Sequence, residues 1–111
     1  MHCEYFAAGQ CRSCRDIPTP YHQQLAAKQQ RLLQQLSALP SFAEVDLLPP
    51  FASAEAGFRN KAKMVVQGSI DDPILGIIED QQAIDLTACG LYPAEFQPSF
   101  SHDRDFIREA K

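Results

Sequence analysis

Residues 58–89, FRNKAKMVVQGSIDDPILGIIEDQQAIDLTAC, decide the fold. From Phe58 to Gln67 the residues alternate. Phe58, Asn60, Ala62, Met64 and Val66 point one way, and Arg59, Lys61, Lys63, Val65 and Gln67 the other, which predicts a half-buried strand. Gly68 to Pro73 reads as a turn, Ile74 to Glu79 as a nearly continuous apolar strand, and Asp80-Gln81-Gln82 as a tight connection. Ala83 to Leu86 is a third short strand. Three strands with short links form an antiparallel meander, and Cys89 follows its last strand directly.

Upstream, Thr19-Pro20 supplies an N-cap and a favourable first helical position. Tyr21, Leu25, Leu32, Leu36 and Leu39 then recur at helical spacing, predicting an amphipathic helix of about 19 residues that ends before Pro40. Its other face is glutamine-rich and reads as solvated. Ser41 to Gly57 is a connecting stretch in which Pro49-Pro50 excludes helix, with room for a short strand around Val45 to Leu48. Beyond Pro93 the chain reads as a loop and then a helix starting near Ser101. Met64, Phe96, Phe100 and Phe106 read as packing residues. The fold class is therefore α+β: a small three-stranded, or slightly larger, antiparallel meander with an N-terminal amphipathic helix, a cysteine loop and a C-terminal helix. The last helix runs to Lys111 without a stop signal, so residues 1–111 are expected to be one domain and a fragment of a longer protein.

The totals narrow the chemistry. With 111 residues, 45% of them hydrophobic, the chain has material for one modest core. A net charge of −4 and a pI near 5.2 give no general attraction for polyanions, so any nucleic-acid binding needs a local patch. No apolar run is long enough to span a bilayer and the start, MHCEYFAAGQ, lacks a signal-peptide pattern, which places the expected protein in the cytoplasm and off the membrane; a monomer is expected, though no residue fixes the oligomeric state.

Four cysteines stand in two places: Cys3, Cys11 and Cys14 in MHCEYFAAGQCRSC, and Cys89 in LTACGLYP. In a reducing compartment such thiols are metal ligands, catalytic groups or inert core residues more often than disulfides. Cys11 and Cys14 have the two-residue spacing of a metal knuckle, and thiolates suit soft metals. Three clustered ligands plus a remote one leave zinc and an iron–sulfur centre both open, and two of the four could be buried thiols alone. Arg59, Lys61 and Lys63 place three of the chain's ten basic residues on one predicted strand face, where they could hold a phosphate backbone, remain solvated or pair with neighbouring acids. His2, His22 and His102 share no ligand spacing. No glycine-rich phosphate loop, nucleophile elbow, carboxylate pair or S-adenosylmethionine motif occurs, so no catalytic residue is assigned.

MHCEYFAAGQCRSC, GFRNKAKMVV and LTACGLYPAEF, in that order across nearly the whole chain, resemble the N-terminal region of the bacterial 23S rRNA (uracil-C5)-methyltransferases of the iron–sulfur RNA uracil-methyltransferase family. The resemblance implies that Cys3, Cys11, Cys14 and Cys89 ligate a [4Fe–4S] cluster, and that the strand with Arg59, Lys61 and Lys63 helps to grip 23S rRNA. It implies a parent enzyme in which a cysteine adds to C6 of the uracil, C5 takes a methyl group from S-adenosylmethionine and a base removes the C5 proton. Those residues belong to a separate catalytic domain, and none can be placed in this chain. The sequence departs from the family pattern at Gly90, where proline is expected. A small electron carrier and a zinc-stapled interaction module are the competing readings.

Overall fold

The structure, a computed structural model, describes residues 1–110. They form two compact units, one of Met1–Cys14 together with the chain from Ala54 onward, the other Arg15–Ser53. In the first unit, helix α1 (Glu4–Ala7) precedes the strands β1 (Val65–Gly68), β2 (Pro73–Glu79) and β3 (Gln82–Asp85). A short 3₁₀ turn at Ala94–Phe96 then leads into helix α3 (Gln97–Glu109). The second unit holds helix α2 (Tyr21–Leu36) and a 3₁₀ turn at Pro40–Glu44. Among the described residues no helix is long and apolar enough to cross a membrane.

The expected meander is present, in the order β1-β2-β3 and antiparallel throughout. The β2–β3 hairpin closes with Glu79 opposite Gln82, leaving Asp80 and Gln81 as a two-residue turn, both at positive φ (48° and 66°). That is the backbone a tight hairpin needs to match strand twist, and aspartate tolerates it. At the β1–β2 end Gly68 stands at φ 84°, where a Cβ would lie 2.4 Å from the Asp72 carbonyl oxygen. Pro73 occupies the first position of β2, where a missing N–H costs the ladder least.

Several boundaries differ from the sequence expectation. The predicted strand from Phe58 pairs with β2 only from Val65, because the chain before it is committed elsewhere. The Gly57 N–H donates to the Gly90 carbonyl at 2.9 Å, and the Arg59 N–H to the Leu91 carbonyl at 2.9 Å. Alternation survives in burial all the same: Ala62 and Met64 pack on the core while Lys61 and Lys63 are exposed. No strand forms around Val45 to Leu48, which follow the 3₁₀ turn. Helix α3 starts at Gln97, four residues before the expected Ser101, with Pro98 in its first turn, a position where proline is tolerated. The end at Lys111 lies outside the described residues.

Helix α2 is 16 residues long, and Pro20 itself is the N-cap rather than Thr19. No side chain caps the helix from that position. Instead, Gln24 donates from Nε2 to the carbonyls of Asp16 and Thr19, both at 2.8 Å, fastening the entering loop to the first turn. Tyr21 accepts from the Ser53 N–H at 2.9 Å and so closes the unit's two ends together. Nothing in this unit is buried: Leu32 and Leu39 are about half exposed, and Leu25, Leu32, Leu33, Leu47 and Leu48 line an open apolar groove.

The core sits between the sheet and α3 in the first unit. Leu75, Tyr92 and Phe100 are its buried centre, with Ala62, Met64, Cys89, Phe96 and Ile107 packed against it. Tyr92, Phe96 and Phe100 form a ring trio, their centroids 5.6 to 6.4 Å apart. Such contacts add to plain area burial. Phe106, expected to pack, is instead 72% exposed.

A polar joint ties β3 to α3. Asp85 accepts from the Thr87 hydroxyl (2.6 Å) and the Thr87 N–H (3.0 Å) and pairs with Arg104, while Gln97 donates to the Thr87 carbonyl at 2.8 Å. Burial pushes the Asp85 carboxyl up, but the Thr87 hydrogen bonds and the Arg104 charge outweigh it and hold it below the usual carboxylate value.

Two stability predictions follow from this packing. A Cβ at Gly76 would stand 1.8 Å from the Ile84 carbonyl oxygen and 2.9 Å from the Leu86 nitrogen, all main-chain atoms that cannot yield without breaking the β2–β3 ladder. Gly76→Ala is expected to cost about 3 kcal/mol or more in chemical denaturation. Because the Asp85 carboxyl is depressed in the folded state, its contribution is complete above the unfolded carboxylate value near ~4 and disappears as pH falls through the folded value. Asp85→Asn should therefore lower stability by roughly 1 kcal/mol at pH 7, a modest figure because both partners remain partly solvated. The difference from wild type should close in acid, as read by thermal melts across pH.

Candidate metal centre and nucleic-acid face

All four cysteines lie in the first unit, as free and partly buried thiols. Cys3 is the N-cap residue of α1, and its carbonyl accepts from the Ala7 N–H at 3.0 Å. Past the helix, Gly9 takes a left-handed φ of 70°, which reverses the chain. The Gln10 and Cys11 N–H groups then both donate to the Tyr5 carbonyl. A single helical turn therefore fixes Cys3 and Cys11 on either side of Tyr5.

Cys89 arrives from the other end of the fold. Its N–H donates to the Leu86 carbonyl at 3.0 Å, its carbonyl accepts from the Tyr92 N–H at 3.1 Å, and its side chain packs on the core. Two links join this loop to the N-terminal one. The Tyr5 hydroxyl sits by the Ala88 main chain, and the Met1 amino group pairs with Glu55 at 2.8 Å, two residues before the Gly57–Gly90 hydrogen bond. A Cβ at Gly90 would meet Met1 Sδ only at 3.9 Å, an ordinary contact, so the departure from proline here leaves a loop with room to spare.

The electrostatics show the thiols as neighbours. Burial pushes the Cys14 thiol above its usual value, and Cys89, Cys11 and Cys3 push it further, with the Arg59 charge working in the opposite sense. The Tyr92 hydroxyl is likewise raised, first by burial and then by Cys89, while the charge of Arg59 and its hydrogen bond to the hydroxyl oppose the rise. The Tyr5 hydroxyl is raised by burial too; the Ala88 bond opposes this, and Asp85, Cys89 and Cys3 add to it.

Proximity is not close packing, however. Among the described residues no group of three or more His, Cys, Asp or Glu side chains is gathered so as to hold one metal ion. A tetrahedral zinc ion at about 2.3 Å from each sulfur would need the sulfurs roughly 3.8 Å apart.

The basic residues divide in a way the alternation did not predict. Lys61 and Lys63 are exposed beside the inward-facing Ala62 and Met64, and none of the ion pairs among the described residues engages them. Arg59 is exposed as well, but its side chain reaches Tyr92 and its charge reaches Cys14. Sequence reasoning missed Tyr5, Tyr92 and the Asp85–Thr87–Arg104 joint as supports of the site. The proximity of Tyr5 and Tyr92 to the cysteines in sequence was the available signal.

No family model matches the chain, and no solved structure matches it. Curated relatives do. The chain is 50% identical over 99% of its length to a 23S rRNA (uracil(747)-C(5))-methyltransferase, RlmC, of Actinobacillus succinogenes, and 51% identical over 99% to that of Haemophilus influenzae. With that of Photorhabdus laumondii it shares 49% identity over 96% of its length. It spans about 29% of the length of these relatives. From its cysteine loop through α3, this chain is thus similar to the N-terminal region of the 23S rRNA (uracil(747)-C(5))-methyltransferases.

Proposed function

We propose that these 111 residues are the cluster-carrying, rRNA-binding part of an S-adenosylmethionine-dependent 23S rRNA (uracil-C5)-methyltransferase that works in the cytoplasm. The observation that carries the reading is the half-identity over 99% of the chain to proteins named for that reaction. Cys3, Cys11, Cys14 and Cys89 would hold a [4Fe–4S] cluster. What supports this is the all-thiol donor set, drawn from two distant segments, and the upward push on the Cys14 thiol from the other three cysteines beside that of burial. The cluster supplies a covalent tie between the N-terminal loop and the loop after β3, which a core this small can use.

Arg59, Lys61 and Lys63 would contact the phosphate backbone of 23S rRNA. None of the ion pairs among the described residues engages the two lysines, and each phosphate contact adds salt-dependent affinity that offsets the chain's net charge of −4. Methyl transfer itself is assigned to the part of the full-length relatives outside the matched 29%. This chain's own work is to bind and orient the RNA.

Two measurements test the reading. Anaerobically purified chain should be brown and carry about four irons with matching sulfide per chain. Cys89→Ser should strip that iron and lower the melting temperature by several degrees. Zinc in place of iron would overturn the cluster assignment. In fluorescence-anisotropy titrations with a 23S rRNA stem-loop, charge reversal at Arg59, Lys61 and Lys63 should weaken binding at least tenfold and flatten its salt dependence. Binding indifferent to those changes would refute the basic face.

A further inference from the structure

We propose that Phe58 is a stacking platform for an unpaired base of the bound RNA, set on a fixed main chain beside the phosphate-binding lysines Lys61 and Lys63. The inference rests on the reading of those lysines as part of the rRNA face and adds what a base would touch. Phe58 breaks its own pattern. Alternation groups it with Ala62 and Met64, which pack on the core, yet Phe58 is 51% exposed. The chain bends at Asn60, and ahead of the bend residues 57–59 leave the line of β1 for the segment after Cys89.

That departure fixes the backbone without covering the ring. On either side of Phe58, the Gly57 N–H donates to the Gly90 carbonyl and the Arg59 N–H to the Leu91 carbonyl, both at 2.9 Å. Leu91 and Tyr92 are buried, so the segment that receives these bonds is itself anchored. Gly57 enters the pairing at φ 62°, a conformation that a residue with a side chain resists. The ring pairs among the described residues join Tyr92, Phe96 and Phe100, and none includes Phe58. An exposed aromatic on a fixed main chain loses little further freedom when a flat partner settles on it.

Charge selects the partner. Lys61 and Lys63 are exposed, and none of the ion pairs among the described residues engages them. Lys61 follows Phe58 by three residues, at most about 11 Å of chain. One stretch of RNA can therefore lay phosphates on the lysines and a base on the ring, the combination by which single-stranded nucleic acid is held. Phe106, the more exposed ring at 72%, lacks the cations. Asp103, Asp105 and Glu109 flank it in sequence, and the arginines of α3 are already paired, Arg104 with Asp85 and Arg108 with Asp105. It is the natural control.

The full chain is titrated by fluorescence anisotropy with a 23S rRNA stem-loop and with a blunt duplex of equal length. Wild type is compared with Phe58→Ala, Phe58→Leu, Phe58→Tyr and Phe106→Ala, each checked for folding by circular dichroism. A 2-aminopurine placed at each loop position in turn reports stacking by its quenching. Phe58→Ala and Phe58→Leu should lose the quenching seen with wild type and weaken stem-loop binding about tenfold while leaving duplex binding unchanged. Phe58→Tyr and Phe106→Ala should match wild type. Stem-loop affinity and quenching alike in wild type and Phe58→Ala, with charge reversal at Lys61 and Lys63 still weakening binding, overturn the platform and leave the basic face standing. An equal loss on stem-loop and duplex also refutes the platform. Wild-type chain that binds neither RNA overturns both readings. Should Phe58→Ala fail to fold, Phe58→Leu against Phe58→Tyr decides: equal stem-loop affinities in the two refute the inference.

Discussion

Holding the N-terminal loop and the loop after β3 against residues 55–59 is the constraint on which the rest of the first unit depends. Cys3, Cys11, Cys14 and Cys89 are partly buried on those loops, and the Cys14 thiol is pushed up by burial first and then by the other three. The Met1–Glu55 ion pair and the Gly57–Gly90 and Arg59–Leu91 backbone bonds tie the N-terminal loop and the Cys89 loop to residues 55–59.

These links are mainly hydrogen bonds and charge pairs, while the apolar packing lies to one side, where Leu75, Tyr92 and Phe100 meet under α3. The division matters. Apolar burial is non-directional and gives the unit its cohesion, whereas hydrogen bonds set atomic positions. Cys89 and Tyr92 stand at the boundary between the two regimes, each touching the core and each tied into the polar loop. The Asp85–Thr87–Arg104 joint extends the same polar frame from the sheet to α3, so the loop bearing Cys89 leaves β3 in a defined direction.

The second unit obeys a different logic. Helix α2 has the apolar periodicity of a packed helix, yet nothing in its unit is buried, and its leucines line an open groove. Periodicity reports that a helix has an apolar face; it does not say that the residues at hand cover it. Phe106 in α3, which reads as core or interface packing, likewise has an exposed side chain. Where a stretch has only one workable pairing, as in the β2–β3 hairpin with its two-residue Asp80-Gln81 turn, reading and structure agree closely.

Local chemistry along the chain determined a good deal by itself: the three-stranded meander, the existence of two long helices, the two-residue spacing of Cys11 and Cys14, and the alternation that exposes Lys61 and Lys63. Each follows from backbone sterics and period, which act over a few residues. Only tertiary structure decided that the strand shortens to Val65–Gly68 and that residues 57–59 side with the Cys89 loop instead of the sheet. Those outcomes depend on which main-chain donors find which acceptors across long sequence separations, a competition settled by burial and loop closure and carried by no short-range pattern.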